Sequence, residues 1–331
     1  MRKELDFFKR NGYFPYPKTM QIEITTMCPL RCPQCFIHEF PHKHMDMQLF
    51  KNIIEEASLL GVKSVVLFGG EPLCHPNVED MINYVICKNI NVFIYTSGWN
   101  IQTLIKIYKS NPRLLKILIS LNGSKKEIHE LSRNGFALTY IAAQQLGVHD
   151  VQYGINWVSR HDNVRDLENL IRIAKDLKAQ YINIVGNKMA SDYSIQEPLT
   201  IEDYEYIRSV YIKYNDFLVI ENCNAHLLNY SGKSTALSGC TAGITNCSIT
   251  IDGDYVPCLR LLHKEKYDSI ASYWLQSKIL DKLRSNLKAG SNCQDCRYSK
   301  KCRFCRAISK TSYLTFENEL PGCILKEAQK C

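Results

Sequence analysis

Long hydrophobic runs are missing from this sequence. The longest apolar stretches, such as residues 65–68 and 117–119, fall far short of the roughly 20 residues that a membrane-spanning helix needs. The basic start of the chain, MRKELDFFKR, is not followed by an apolar segment of signal-peptide length. These absences argue against a membrane protein and against a secreted one, so we expect a cytoplasmic protein.

Fixed-period repeats, low-complexity tracts and arginine-rich runs are also absent from the sequence. The first two absences exclude a solenoid and a disordered chain. The 41 Lys and Arg residues outnumber the 33 Asp and Glu residues and give a formal charge of +8, which indicates a solvated basic surface and favours an acidic partner. Because no nucleic-acid motif accompanies this charge, nucleic acid is not the expected partner.

Cysteine is what the chain has in excess, with 15 residues. In a secreted protein this number would predict disulfides, whereas in a cytosolic chain clustered cysteines more often bind metal. Most of them fall into two sets, one at residues 28–35 and the other between residues 240 and 323. The clustering favours metal.

Short apolar segments alternate with longer amphipathic ones from residue 20 to about residue 185. Strands are predicted at 20–26, 63–68, 91–96, 115–121, 151–158 and 180–185. Helices are predicted near 47–60, 77–89, 100–110, 124–146 with a break near Gly135, 163–178 and 200–215. The alternation predicts an α/β fold with a parallel sheet, either doubly wound or an open barrel. In both, ligands gather at the carboxyl ends of the strands.

Three cysteines, Cys28, Cys32 and Cys35, form a C-x3-C-x2-C motif after the first predicted strand. Three thiolates can bind three irons of a cubane cluster and leave the fourth iron without a protein ligand. A zinc site would recruit a fourth ligand, for which the histidines at 38, 42 and 44 are candidates. The motif lies at the mouth of an α/β sheet and precedes a Gly-Gly-Glu-Pro turn, which zinc does not require. The iron-sulfur reading is therefore favoured.

This combination resembles the radical S-adenosylmethionine (SAM) superfamily. In that family three cysteines hold a [4Fe-4S] cluster whose open iron binds the amino and carboxylate groups of SAM. Reduction of the cluster cleaves SAM to a 5'-deoxyadenosyl radical, which abstracts a hydrogen from the substrate. The resemblance implies a partial (β/α)6 TIM-like barrel, with Cys28, Cys32 and Cys35 as the cluster ligands.

The same resemblance implies a set of SAM contacts. Gly69, Gly70 and Glu71 match the segment that binds the SAM amino group, and Thr96 closes the third strand. Ser120 and Asn122 match a polar pair near the ribose and methionine, although relatives often carry aspartate where this chain has Asn122.

Three further residues complete the implied contacts. Arg133, in the segment HELSR, matches an arginine that pairs with the SAM carboxylate, a role suited to a guanidinium; the alternative is an exposed helix charge. Gln34 precedes Cys35, where many relatives carry an aromatic residue beside the adenine, and it could contact adenine by a hydrogen bond. Phe36 follows Cys35 and is either a second contact or a core residue.

The second cysteine set resembles the SPASM extension of radical SAM enzymes that modify peptides and proteins. Cys240, Gly253 and Cys258 fit its pattern, while the step from Cys302 to Cys305 is one residue short. The resemblance implies two auxiliary [4Fe-4S] clusters, in addition to the SAM-binding one. Their ligands would be Cys240, Cys247, Cys258 and Cys305 for one cluster, and Cys293, Cys296, Cys302 and Cys323 for the other. Taken alone, this block suits a pair of zinc ribbons equally well.

Together the resemblances divide the chain into an N-terminal extension (1–19), a radical SAM core (20–215), a bridging region (216–239) and a SPASM auxiliary-cluster domain (240–331). Among the remaining cysteines, Cys87 is expected to be a small buried hydrophobic residue. Cys74 or Cys223 could donate a hydrogen atom to a substrate radical, as an epimerase requires.

The expected function is that of an oxidoreductase that forms a thioether or carbon-carbon crosslink in a ribosomally synthesised precursor peptide. The alternatives are a peptide epimerase, a sulfatase-maturase-like enzyme, a small-molecule dehydrogenase and, from another class, a non-catalytic zinc-ribbon protein that binds nucleic acid. Sulfatase maturation is disfavoured because Leu259 stands where those relatives carry an aspartate that can act as a base. No catalytic base is identified.

The expected partners follow from this function. Only about 19 residues precede the first predicted strand, too few for a leader-binding module. A separate leader-binding protein, or the basic surface itself, would then recognise the precursor. A flavodoxin- or ferredoxin-type protein is the expected reductant.

Overall fold

The computed structural model describes residues 2–35, 42–187, 199–222, 239–261 and 263–285, together with Arg303, Cys305 and Ala307. Several residues named above lie outside the described residues: Phe36, His38, Cys223, Cys293, Cys296, Cys302 and Cys323.

Nine strands of the described chain form one sheet. In chain order they are β1 (Thr19–Thr25), β2 (Ser64–Gly69), β3 (Asn91–Thr96), β4 (Leu115–Ser120), β5 (Tyr153–Ser159), β6 (Tyr181–Gly186), β7 (Leu218–Ile220), β8 (Asn246–Ile249) and β9 (Tyr255–Val256). Their spatial order is β7-β6-β5-β4-β3-β2-β1-β8-β9. Every neighbouring pair is parallel except β8 and β9, which are antiparallel.

The helices are α1 (Arg2–Asn11), α2 (Met47–Leu60), α3 (Val78–Cys87), α4 (Ile101–Ser110), α5 (Lys126–His129), α6 (Phe136–Val148), α7 (Leu167–Asp176), α8 (Ile201–Lys213), α9 (Ile270–Gln276) and α10 (Lys278–Ser285). Local sequence explains their ends. The Asp46 side chain accepts hydrogen bonds from the first turn of α2, and Gly61 ends that helix with a φ of 84°. The predicted break near Gly135 is confirmed: α5 ends before it and α6 begins after it.

From β1 to β7 the chain adds each new strand on the same side of the sheet. Because parallel crossovers are right-handed, a chain that keeps moving in one direction leaves its helices on one face. A doubly wound sheet instead reverses direction near its middle. Of the two predicted architectures, the sequential order favours the open barrel. The chain then returns to place β8 on the other side of β1.

The two faces of the sheet differ in character. On β1, Met20, Ile22 and Ile24 are fully buried in the core that packs against the helices. Thr19 and Gln21 alternate with them and line a cavity on the opposite face. We call this opposite face the inner face. It carries the polar groups of the sheet.

The structure adds elements that the sequence did not predict. Strands β7 and β8 have three and four residues, too few for a periodic pattern to show. The segment after α1 packs near β8: the Phe14 N–H donates to the Ile244 carbonyl at 3.1 Å, and the Trp274 indole donates to the Phe14 carbonyl at 2.8 Å.

One expectation about a cysteine was wrong. Cys87 is exposed, because it lies off the stripe of α3 formed by Val78, Met81, Ile82 and Val85, which faces the core. Its thiol donates to the Tyr84 carbonyl at 3.0 Å. No helix in the described part of the chain is both long and apolar enough to cross a membrane.

Candidate active site

The three cysteines of the first motif lie in the loop after β1 and line one cavity. The Cys35 N–H donates to the Cys32 carbonyl at 3.0 Å and closes a turn between them. The Arg31 guanidinium donates to the Cys28 carbonyl at 2.7 Å. Burial raises the pKa of Cys28 to about 12. A metal ion or cluster is therefore needed to hold that side chain as a thiolate at neutral pH.

Two glycines hold the turn after β2 against this loop. The Gly70 N–H donates to the Thr25 carbonyl and the Glu71 N–H donates to the Met27 carbonyl, each at 2.7 Å. A Cβ on Gly69 would lie 2.1 Å from the Thr25 oxygen, and one on Gly70 would lie 2.2 Å from the Met27 oxygen. Only glycine permits so close a backbone approach. The turn therefore fixes the residues immediately before the cysteine loop.

The Glu71 carboxylate is buried and accepts hydrogen bonds from neighbouring protein groups. Oε1 accepts from Thr96 Oγ1 at 2.6 Å and from Leu73 N at 3.3 Å. Oε2 accepts from both the N–H and the hydroxyl of Ser97 at 2.7 Å. Burial raises the pKa of Glu71, and these hydrogen bonds act in the opposite direction. Since its lone pairs are occupied, Glu71 organises the loop after β3, and backbone oxygens of the turn would bind a ligand amino group.

The cavity has a volume of about 130 Å³ and opens to solvent. It brings together ten of the residues singled out in the sequence: Cys28, Cys32, Gln34, Cys35, Gly69, Gly70, Glu71, Thr96, Ser120 and Arg133.

Asn122 does not line this cavity. Its side-chain amide donates to Ser132 Oγ at 2.8 Å, and its Oδ1 accepts from the Val158 N–H at 3.1 Å. Its own N–H donates to His129 Nδ1 at 3.2 Å. The fully buried Asn122 thus fastens the end of β4 to the segment that carries Arg133 and to β5.

Two polar side chains in the lining are available to a ligand. Oε1 of Gln34 is buried without a hydrogen-bond donor, which costs about 1–3 kcal/mol until a ligand donates to it. The Arg133 guanidinium makes no ion pair with any residue that the structure describes. The amino group of adenine and the carboxylate of SAM are complementary to these two groups, so the residues present fit SAM.

The sequence analysis missed other lining residues. Asn156 on β5 and Asn187 after β6 lie at the carboxyl ends of strands, a position that could have revealed them. Arg260, after β9, had no sequence signal, because only tertiary packing brings it here. The remaining lining residues are Leu30, Phe68, Pro72, Tyr95, Ser97, Val158, Val185 and Gly186.

A second cavity lies on the inner face against the amino-terminal halves of β1, β2 and β3. Cys240, Cys258 and Cys305 line it, and Tyr95 lines both cavities. Cys247 does not line it and is fully buried. Cys74 is half-buried and lines neither cavity.

Within the described ranges, no three Cys, His, Asp or Glu side chains converge closely enough to hold a single metal ion. A cubane cluster does not require such convergence, because each of its thiolates binds a different iron. The cysteine loop at the cavity is compatible with this arrangement.

The fold and the cavity define an α/β protein with a cysteine loop and a cavity at the carboxyl ends of its parallel strands. The model of the Radical SAM superfamily matches residues 22–144, which include the second half of β1, the cysteine loop and the glycine turn. The chain therefore contains a radical SAM domain and is an enzyme.

Relatives match most of the chain. The AdoMet-dependent heme synthase of Methanosarcina barkeri is 22% identical over 345 residues, which cover 95% of this chain and 98% of that protein. The mycofactocin maturase MftC of Mycobacterium tuberculosis is 23% identical over 332 residues, which cover 93% and 83%. The chain is thus related to enzymes that include peptide maturases.

A solved structure shows the same fold. Streptococcus suis SuiB bound to its precursor peptide SuiA matches with a TM-score of 0.79 at 18% identity, over 96% of this chain and 79% of SuiB. SuiB has also been solved with S-adenosylmethionine bound.

Proposed function

We propose that this enzyme modifies a ribosomally synthesised peptide by abstracting a hydrogen atom from it, and that a thioether or carbon-carbon crosslink results. The observation that carries the proposal is the convergence, in one cavity, of the three motif cysteines with the unpartnered groups of Gln34 and Arg133. The relationship to MftC and the fold shared with SuiB support a peptide substrate.

The residues of the cavity have distinct roles in this proposal. Cys28, Cys32 and Cys35 hold a [4Fe-4S] cluster, which together with SAM supplies the radical chemistry. Arg133 pairs with the SAM carboxylate, and Gln34 accepts a hydrogen bond from the adenine. The backbone oxygens of Gly69 and Gly70 bind the amino group, and Ser120 also lines the cavity.

Residues 20–215 form the catalytic core of the proposal and residues 240–331 the SPASM domain. Auxiliary clusters there would accept the electron that remains after a crosslink forms. Epimerisation would instead need a hydrogen donor, and the position of Cys74 outside the cavity lining weighs against that residue as the donor.

The proposal includes three further expectations. A flavodoxin- or ferredoxin-type protein supplies the electron, and a separate leader-binding protein presents the precursor. The enzyme works in the cytoplasm, because its cysteines must remain reduced to bind iron.

The test begins with anaerobic purification, iron and sulfide analysis, and an assay for 5'-deoxyadenosine with dithionite. We expect about twelve irons per chain after reconstitution, the sum for three cubanes. Co-expression with a precursor peptide encoded nearby should then give a product that has lost the mass of two hydrogens. A product of unchanged mass in H2O that gains deuterium when the reaction runs in D2O would indicate epimerisation. A protein that binds zinc and does not cleave SAM would refute the proposal.

A second candidate is oxidation of a small molecule. It is favoured by a relative that matches 95% of the chain and is described as a heme synthase rather than a peptide maturase. Arg260 in the cavity lining would suit a small acidic substrate. Formation of 5'-deoxyadenosine that requires an added small carboxylic acid, and is not increased by the precursor peptide, would establish this candidate.

A further inference from the structure

Strand β8 determines which cysteines can share a cluster in the second cavity. It pairs in parallel with β1, with Asn246 opposite Thr19 and Cys247 opposite Met20. Paired residues of neighbouring strands point to the same face of a sheet, and successive residues point to opposite faces. Asn246 therefore lies on the inner face with Thr19, and Cys247 on the helix-covered face with Met20.

Side-chain contacts agree with this register. On the inner face, the Ser248 hydroxyl donates to Gln21 Oε1 at 3.2 Å, and Asn246 lines the second cavity. On the other face, Cys247 is 0% exposed and belongs to the core that contains Tyr255 and Tyr273. The rings of these two tyrosines stack with their centroids 4.9 Å apart. A close-packed core of this kind has no space for a cubane.

The other three cysteines meet on the inner face through close packing of distant segments. The Cys240 N–H donates to the Arg303 carbonyl. A Cβ on Gly239 would lie 1.8 Å from that carbonyl oxygen, so glycine is required for the contact. This pairing places Cys240 near Cys305, which is two residues beyond Arg303 in the chain.

Cys258 and Cys305 lie together. Cys305 belongs to a small apolar cluster with Leu261 and Ala307, and Cys258 packs against that cluster. The Arg260 N–H donates to the Cys258 sulfur at 3.4 Å. Backbone N–H groups that donate to sulfur stabilise ligating thiolates and tune the potential of iron-sulfur clusters.

We propose that Cys240, Cys258 and Cys305 hold an auxiliary [4Fe-4S] cluster without Cys247. Because no fourth cysteine lines the second cavity within the described residues, an exchangeable ligand would complete the cluster. The inference rests on the proposed function, since it assumes iron in the second cysteine set. It replaces the set of four cysteine ligands, including Cys247, that the resemblance implied. A soft donor such as a thiolate is the class of ligand that the open iron binds best.

The first experiment compares iron content after anaerobic reconstitution. Cys247→Ala and Cys247→Val should retain the wild-type iron count, whereas Cys240→Ala and Cys258→Ala should each lose about four irons per chain. Loss of about four irons in both Cys247 variants, with native circular dichroism, would overturn the inference.

A second measurement does not depend on how the variants fold. Iron is removed from the folded wild-type protein with a chelator, and free thiols are alkylated and mapped by mass spectrometry. Cys240 and Cys258 should react while Cys247 stays protected in its core. Alkylation of Cys247 at the rate of Cys240 would contradict its assignment to the helix-covered face.

The exchangeable position is tested in a full-length variant with Cys28, Cys32 and Cys35 changed to alanine, which retains only auxiliary clusters. Added β-mercaptoethanol should shift the electron paramagnetic resonance spectrum of the reduced protein in a saturable way. An unchanged spectrum would show that a protein group fills the fourth position. These outcomes are separable from failure of the proposed function, in which the wild-type chain would bind no iron and cleave no SAM.

Discussion

The two cavities of the inner face are built in different ways. The first lies at the carboxyl ends of the strands, and its cysteine loop is fixed by backbone hydrogen bonds from the turn at Gly70 and Glu71. The second lies nearer the amino ends of the strands, and its cysteines, Cys240, Cys258 and Cys305, come from three separate segments of the chain. A local motif can therefore specify the first site, whereas the second exists only once distant segments have packed together.

The largest expected effect separates the two cavities directly. Cys28→Ala should abolish 5'-deoxyadenosine formation, because one iron of the SAM-binding cluster loses its ligand. The auxiliary irons should remain, since none of their ligands is touched. Iron analysis and the SAM cleavage assay test this, with Cys87→Ala, an exposed cysteine outside both cavities, as the control. Full activity of Cys28→Ala would remove the basis for the first site.

Two glycine variants should damage one cavity each. Gly70→Ala pushes a Cβ against the Met27 carbonyl, and Gly239→Ala pushes one against the Arg303 carbonyl. We expect Gly70→Ala to lower SAM cleavage about 5- to 150-fold, which corresponds to about 1–3 kcal/mol of overpacking, and to leave the auxiliary irons in place. Gly239→Ala should instead lower the auxiliary iron content and leave SAM cleavage unchanged.

The control for this pair is Gly12→Ala, whose Cβ would meet no atom within 4 Å. It carries only the cost of its positive φ, about 1 kcal/mol, and should keep both activities. If Gly70→Ala and Gly239→Ala lost the same irons, the two cavities would not be independently built.

A charge variant should weaken SAM binding without removing iron. Arg133→Gln removes the guanidinium that we propose pairs with the SAM carboxylate, so the KM for SAM should rise about 10- to 100-fold, the range for a charge-assisted hydrogen bond. Arg133→Lys should recover part of this loss. Arg113→Gln, on an exposed arginine away from the cavity, serves as the control. An unchanged KM in Arg133→Gln would assign that residue to the surface.

Part of the pH dependence of stability should come from His129, which supports the first cavity. Burial lowers the pKa of His129 to about 4 from its ordinary value of 6.5, so the unfolded chain binds a proton more readily between these values. The free energy of unfolding should therefore fall by about 2 kcal/mol as the pH drops from about 7 to about 5.

Urea unfolding at the two pH values measures this loss. His129→Gln should show a smaller loss than wild type, because the variant lacks the titrating ring, and His149→Gln, on an exposed histidine, should behave as wild type. Equal pH dependence in wild type and His129→Gln would place the titrating group elsewhere.

The smallest effect concerns a single hydrogen bond in the first cavity. Gln34→Leu keeps the approximate size of the side chain and removes the buried acceptor, so the KM for SAM should rise about fivefold, equivalent to about 1 kcal/mol. Gln102→Leu, on the exposed surface of α4, is the matched control. A lower KM in Gln34→Leu would show that an apolar surface suits the adenine better.

The sequence predicted the parts of the fold that repeat a period. The helix predicted at 47–60 coincides with Met47–Leu60, and each of the first six strands was found within two residues of its bounds. These segments are long enough for apolar residues to recur at the spacing of a helix or a strand. The pairing of β8 with β1 joins residues more than 200 positions apart and leaves no such pattern.

The candidate site was predictable to the extent that it is local. The cysteine motif and the glycine turn are short and follow strands, so their place at the carboxyl ends was foreseeable. The hydrogen bonds that Thr96 and Ser97 donate to the Glu71 carboxylate were not foreseeable, because they depend on how the loops after β2 and β3 pack. Arg260 was missed for the same reason.

The pairing of β8 with β1 also determines how the core meets its surroundings. Without β8, the backbone N–H and C=O groups of Thr19–Ile22 would lie along an open edge, where another chain could add a strand. Strand β8 therefore protects β1 from edge-to-edge aggregation. A fragment that ended near residue 215 would lose this protection at the very strand that leads into the cysteine loop.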